Sequence, residues 1–358
     1  MKINEVSFLR RIIEEKLLIF VFLGAFFTSI WLRRFPKYSL SDLKVIYSLF
    51  VFLLILKGLE RSNFFYYIAE RLKAAGPFLG IKLIFLTALL AIFVTNDVAL
   101  LIVVPLTLVL EIKDRAILVI LETITANAAS AFTPFGNPQN MFIYYHYHLS
   151  AFIFLKVISP FVLFSLSLVL IVGLVKARGK FLSLERNNNV KLNKINCFVY
   201  LSLSVLFILA ILKIFPLTIG LAALVYVLFL DRRSFAIDYF LLATFFVFFG
   251  FTDNLIQIFN FKLSNSQFVF STSILLSQLI SNVPATLFLA DFTSNWQALL
   301  WGVSVGGFGS VVGSLASLIS YKFYKSKFPQ AKFLLRFHLY NFAFLFLGIV
   351  FYFLIRSR

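Results

Sequence analysis

The sequence predicts an all-α integral membrane fold made of two oppositely directed repeats, with two re-entrant hairpins, two broken helices and about nine crossings. Three observations carry this. First, 61% of the 358 residues are hydrophobic and only 13% are charged, whereas a soluble domain is about half apolar and about a quarter charged. Lipid is the solvent such a chain requires. Second, its apolar runs are often too short to cross and come in pairs around a polar break. Third, the same order of breaks occurs twice.

The elements follow in order. Residues 1–16 mix charged and apolar residues and predict an amphipathic lead. Apolar runs at 17–32 and 43–58 predict two crossings. The runs 76–94 and 97–112 are separated only by Thr95-Asn96-Asp97, which predicts a re-entrant hairpin over 76–112. The segment 116–149 is a helix interrupted by Thr133-Pro134-Phe135-Gly136-Asn137-Pro138-Gln139-Asn140, because two prolines and a glycine cannot continue a helix. A crossing at 150–175 completes a first repeat over 17–175, and 176–197 is a basic linker. The second repeat, 198–358, has crossings at 198–213, 216–230 and 239–256, then a hairpin over 268–291 with Ser281-Asn282-Val283 at its tip. A second broken helix, 296–320, is interrupted by Gly306-Gly307-Phe308-Gly309 and the glycine- and serine-rich stretch behind it, and 334–355 crosses last. An irregular backbone inside a bilayer is tolerated only where protein or a water-filled cavity surrounds it, so the breaks are the informative places.

Charge placement sets the orientation and excludes other classes. The net charge of +18 sits in short clusters between apolar runs, as topology signals do, and not along a basic, aromatic-lined groove. Nucleic acid is therefore not a partner. Most of the lysines and arginines fall on one side, including Arg10, Arg11, Arg71, Lys73, Arg178, Lys180, Arg232 and Arg233. That side is the cytoplasm. The amino terminus is then cytoplasmic and the carboxyl terminus outside the cell membrane. The cluster from Arg33 to Lys44 falls outside, against the rule. The single Cys197 forms no internal disulfide or metal cluster. His146 and His148 in YYHYH read as part of an aromatic interface belt, with no metal site.

The two halves superpose as motifs. Thr95-Asn96-Asp97-Val98-Ala99 matches Ser281-Asn282-Val283-Pro284-Ala285, and Thr133-Pro134-Phe135-Gly136-Asn137 matches Ser310-Val311-Val312-Gly313-Ser314. The two broken helices lie five crossings apart, so they run in opposite directions. Internal symmetry with inversion is the pattern of a secondary transporter. No phosphate-binding loop and no catalytic His-Glu or Ser/His arrangement is evident, so no catalytic residue and no organic cofactor are expected.

With TNDVALLIVVPLTL at 95–108, TPFGNPQN at 133–140, SNVPATLF at 281–288 and GSLASLI at 313–319, the chain resembles the ion transporter superfamily over roughly 40–355. That group includes arsenite permeases, divalent-anion and dicarboxylate symporters, citrate transporters and some sodium/proton antiporters. The first tip is most similar to the arsenite-permease branch. The resemblance implies that tips and breaks meet near the midplane around a small anion or oxo-acid, that sodium ions or protons are coupled, that motion is elevator-like, and that a homodimer is open to the chain. The dicarboxylate branch has Ser-Asn-Thr at both tips. This chain has Thr-Asn-Asp and Ser-Asn-Val, which puts a carboxylate substrate and paired sodium sites in question.

The candidate substrate residues are Asn96, Thr133, Gly136, Asn137, Asn140, Ser281, Asn282, Gly313 and Ser314. The amides both donate and accept and suit an oxyanion or a neutral oxo-acid. For Gln139 and Asn140 a role in pairing broken backbone weighs equally. Half-helices starting near Asn140 and Leu315 would aim positive dipole ends at the cavity. The ion-coupling candidates are Asp97, Thr95 and Glu122. Asp97 is the only acid between Lys82 and Glu111, and an ionisable group in the membrane costs about 2.5–3.5 kcal/mol on insertion scales. Its structural alternative is a cap on the hairpin's second arm. Asp253 and Asp291 are placed near span ends. The expected function is a secondary permease for a small anion, coupled to protons or sodium. The alternatives are a sodium/proton antiporter using Asp97 and, less favoured, an intramembrane enzyme.

Overall fold

The computed structural model describes residues 16–65, 67–68, 78–109, 114–176, 192–259 and 261–356. The amphipathic lead, most of the basic linker and the outer ends of the first hairpin lie outside the described residues. The rest is helical, with no strand among the described residues. The first half contains α1 (Lys16–Leu32), α2 (Leu40–Arg61), α3 (Leu79–Phe93), α4 (Asn96–Val109), α5 (Arg115–Ser130), α6 (Pro138–His146) and α7 (Ala151–Lys176). The second contains α8 (Lys194–Ile211), α9 (Gly220–Leu230), α10 (Tyr239–Ile258), α11 (Ser266–Ile280), α12 (Asn282–Ala290), α13 (Trp296–Gly306), α14 (Leu315–Lys327) and α15 (Phe333–Arg356).

Helices α7, α8, α10 and α15 are long and apolar enough to cross a bilayer. The paired α3/α4 and α11/α12 are the two hairpins, and α5/α6 and α13/α14 are the two broken helices, at the places the polar breaks predict. The 216–230 run differs from a plain crossing: Pro216 precedes a 3₁₀ turn over Leu217–Ile219, and α9 proper is 11 residues long. Side-chain caps fix the starts. Ser39 and Asp42 form a capping box on α2, and Asn193, Asp238 and Asn265 cap α8, α10 and α11. Each satisfies backbone donors that lipid could not.

The packing is reciprocal between the halves. Hairpin arm α3 lies on α5, and α11 lies on α13. The helix after each break packs on the other half's hairpin: α14 on α4, and α6 on α12. Outside this core, α1 pairs with α10 and α2 with α8 and α9. Helices α7 and α15 brace the core from the flank against α5 and α13. The outer group meets the core chiefly through α2 against α6 and α10 against α12. Phe20, Phe27, Trp31, Phe152 and Leu335 remain exposed, as side chains facing acyl tails do.

One close approach holds the outer group. A Cβ on Gly58 would lie 2.0 Å from Tyr200 Cζ. The ring cannot yield, since Tyr200 is fully buried and its hydroxyl donates to Asp231 Oδ2 at 2.8 Å, while Ser234 Oγ lies 3.1 Å away. Arg61 adds a 3.4 Å ion pair to Asp231. Gly58→Ala is expected to lower stability by about 1–3 kcal/mol, the usual cost of overpacking, read as a lower thermal midpoint in detergent.

Candidate functional site

The site grows from two chain breaks that solve the same problem. At the first, α5 ends at Ser130 and α6 begins after Asn137, whose side chain accepts from Asn140 N at 2.9 Å. At the second, α13 ends at Gly306 and α14 begins after Ser314, whose hydroxyl accepts from Ser317 N at 3.1 Å. The two caps share one backbone conformation, φ −156 and ψ 160 at Asn137 and φ −149 and ψ 151 at Ser314. The residue before each cap is glycine because the chain folds over the end of the preceding half-helix. A Cβ on Gly136 would stand 2.3 Å from Ser130 O, and one on Gly313 3.0 Å from Gly306 O.

The freed carbonyls are paired differently in the two halves. Asn140 Nδ2 donates to Ser130 O, Ala131 O and Thr133 O at 3.2, 3.0 and 2.9 Å. The fully buried Asn140 thus closes the first break and is not aimed into open space, although its Oδ1 has no partner among the described residues. Gln139 is buried in the same turn. In the second half Gln278, on hairpin arm α11, donates to Gly306 O at 2.8 Å and Phe308 O at 2.9 Å and accepts from Ser310 N at 2.7 Å.

The first hairpin tip is held against the first break. Asn96 N donates to Gly136 O at 3.3 Å, and Thr133 Oγ1 donates to Ile92 O at 2.9 Å. Thr95 caps α4, its Oγ1 accepting from Val98 N at 3.3 Å. The cap on this arm is therefore Thr95, and Asp97 sits one step inside the first turn. Asp97 is half-buried, and its Oδ1 has no hydrogen-bond partner among the described residues. At the second tip Ser281 takes φ 75, in the left-handed region. Asn282 is buried beside Gly307, where a Cβ would come within 3.1 Å of its Nδ2.

The halves are joined by a residue the sequence reading passed over. Asn127, inside α5, accepts from Asn96 Nδ2 at 3.3 Å and donates to Gly307 O at 3.1 Å, Ser314 Oγ at 3.0 Å and Ser317 Oγ at 3.4 Å. It touches the first hairpin tip, the second break and the cap of α14 together. Around it gather Asn96, Asn282, Ser314 and the starts of α4, α12 and α14, and α6 begins next to Gly136. Its sequence signal was an amide inside a helix with no break to explain it, as Glu122 was an acid in the same helix. Gln278 carries the same signal in α11.

Glu122 is not brought to this centre. It is fully buried between α5 and α4, accepting from Thr107 Oγ1 at 2.5 Å. The YYHYH motif also differs from a lipid-facing belt. Tyr144 and Tyr145 are buried, Tyr147 donates to Ala290 O at 2.8 Å, and His146 Nε2 lies 3.6 Å from Asp291 Oδ1. Packing of α6 on α12 draws these rings inward. No cluster among the described residues could hold a metal ion. A cavity of about 500 Å³ flanks the tip between α2 and α4, lined by Leu53, Lys57, Glu60, Val98, Ile102 and Asp238 among others.

Residues 12–306 match the family described as citrate transporter. The chain belongs to the citrate transporter family. It is 32% identical over 319 residues to an uncharacterized transporter of Methanocaldococcus jannaschii, covering 83% of this chain and 86% of that one. It is 31% identical over 347 residues to the inner membrane protein YbiR of Escherichia coli K12, covering 91% and 90%. This member of the citrate transporter family is a multi-pass membrane transporter, within the superfamily its motifs resemble, and its family points away from an enzyme.

Asn140 is the residue most tied to the break itself. Asn140→Asp exchanges its only donor group for an acceptor and leaves three carbonyls facing a carboxylate. It is expected to destabilise the protein more than Asn140→Ala, itself costing about 1–3 kcal/mol per carbonyl left unpaired, by thermal unfolding in detergent.

Proposed function

We propose that this transporter moves a small anion, a carboxylate or an oxo-acid, across the cell membrane, driven by a proton or sodium gradient. One observation carries the reading: α4, α6, α12 and α14 all begin around Asn96, Gly136, Asn282 and Ser314. A helix start holds roughly half a positive charge in unpaired N–H groups, and half-helix starts aimed at a midplane site are how transporter folds hold anionic groups. Asn96, Asn127 and Asn282 supply donors that need no charge of their own. The family's description names citrate, which fits this chemistry.

Asp97 is the coupling residue in this reading. Its Oδ1 is left without a partner at the tip, ready for a proton or a sodium ion, with Thr95 beside it. Glu122, remote from the tips, is the weaker coupling candidate. The packing supports an elevator-like motion, with α3–α6 and α11–α14 sliding against α1, α2 and α8–α10. The cavity beside Val98 runs toward Lys57 and Glu60, on the side the basic residues assign to the cytoplasm. The outside Arg33–Lys44 cluster is partly neutralised, since Arg34 pairs with Asp253, which also accepts from Lys37 N at 2.8 Å. The excess of basic residues on the other side supports a cytoplasmic amino terminus and an external carboxyl terminus. The second reading is sodium/proton exchange at Asp97, favoured by its unpartnered oxygen alone.

Reconstitution in liposomes with citrate, succinate, sulfate, phosphate and arsenite under imposed proton or sodium gradients separates these. Gradient-driven uptake of one anion is expected. Asn96→Ala and Asn127→Ala should each reduce it about 10- to 100-fold, the worth of one or two lost charge-assisted hydrogen bonds. Asp97→Asn should abolish accumulation against a gradient while sparing downhill exchange. Sodium/proton exchange that needs no anion would replace the anion reading with the second one.

A further inference from the structure

A second cavity, of about 440 Å³, lies at the other end of α2 and is lined by Ser41, Lys44, Tyr145, His148 and Lys213 with apolar neighbours. Helix α2 has 22 residues, roughly 33 Å at 1.5 Å per residue, so this cavity and the one at Lys57 open at opposite ends of the molecule. No acidic side chain lines it among the described residues. The nearest acid in the chain, Asp42, is engaged in the capping box, accepting from Ser39 N at 2.8 Å.

The basic groups line the cavity while remaining exposed. His148 and Lys213 both take left-handed φ, 52 and 64, the conformation in which a helix C-terminus commonly closes. Each follows the end of a helix, closed by Leu149 N to Tyr144 O at 3.1 Å and by Ile214 N to Leu209 O at 2.9 Å. Lys213 Nζ donates to Leu149 O at 2.7 Å and stands 4.6 Å over the Tyr144 ring. A lysine at a helix C-terminus is stabilised by the dipole, which accounts for Lys213 alone. It does not account for Lys44, which sits near the start of α2, where the dipole opposes a cation. Burial and the neighbouring Lys44 ammonium push Lys213 below its ordinary pKa, so the two ammonium groups repel one another across the cavity. An anion between them removes that repulsion.

We propose that this cavity binds an oxyanion, a phosphate or carboxylate group, between Lys44 and Lys213, with the Ser41 and Tyr145 hydroxyls and the His148 ring as neutral partners. The site is separate from the one centred on Asn127 and does not depend on what is transported. Two sources supply such a group: a free anion in solution at that face, or the headgroup of an anionic phospholipid.

The test is titration of inorganic phosphate into the full-length protein in nanodiscs of phosphatidylcholine, against chloride at equal ionic strength. Saturable binding is expected, weakened about tenfold by Lys44→Glu, which removes one charge-assisted contact, and similarly by Lys213→Gln. Lys44 is exposed, so its variant reads binding without a folding defect, and unchanged thermal unfolding confirms it. In nanodiscs containing phosphatidylglycerol, loss of phosphate binding in the wild type but not in Lys44→Glu assigns the site to a lipid headgroup. Retained binding assigns it to a free anion. Absence of saturable binding in phosphatidylcholine, or binding indifferent to both lysines, overturns the proposal. Because the readout is binding, its failure leaves the transport reading untouched, and the reverse holds too.

Discussion

Everything in this molecule answers to the rule that a backbone N–H or C=O inside lipid must find its partner within the protein. Unbroken helices meet it by themselves. The two breaks at the centre cannot, and the sequence places polar side chains on both sides of each. Asn140 takes the three carbonyls at the end of α5. Gln278 takes two at the end of α13 and the amide of Ser310. Asn137 and Ser314 cap the helices that resume. Asn127 meets one more, donating to Gly307 O, and accepts from Asn96 Nδ2, so it links the two halves.

The two halves share positions and differ in means. Glycine followed by a cap at 136–137 and at 313–314 gives one backbone shape twice. The first half closes its break from the helix that follows, with prolines to enforce the stop. The second closes it from the hairpin, through Gln278, and needs no proline. The left-handed backbone at Ser281 likewise has no counterpart at Thr95, which lacks a positive φ. Equal geometry with unequal side chains leaves one acid, Asp97, on one side of a nearly symmetric centre.

What could be read from the sequence follows from the same rule. Breaks announce themselves, because Pro134, Pro138, Gly136 and Gly306-Gly307 are incompatible with a continuing helix. Hairpins, broken helices and membrane residence were legible for that reason. Asn127 and Gln278 were not, because an amide inside a helix leaves the local conformation unchanged and its meaning lies in a distant partner: Gly307 for one, Gly306 and Phe308 for the other. The aromatic run at 144–147 misled for the opposite reason. Its composition fits an interface belt, yet packing against α12 overrides composition and buries it. Within the Arg33–Lys44 cluster, the pairing of Arg34 was illegible because its partner, Asp253, lies 219 residues away.

The side-chain links also decide which parts can move. Thr107 to Glu122 ties α4 to α5 at 2.5 Å, and Thr123 to Ser320 ties α5 to α14 at 2.8 Å. With Asn127 spanning the same three helices, a hairpin arm of the first half is locked to the resumed helix of the second. Buried links of this kind are costly to break one at a time, since each leaves a polar group unpaired in a low-dielectric interior. The first hairpin therefore cannot open as an independent gate without breaking them. At the boundary of the outer group with the core, α2 and α6 share one long polar contact among the described residues, Ser48 to Tyr145 at 3.3 Å, and beside it Lys213 Nζ donates to Leu149 O at 2.7 Å. The two cavities at opposite ends of α2 lie along that boundary.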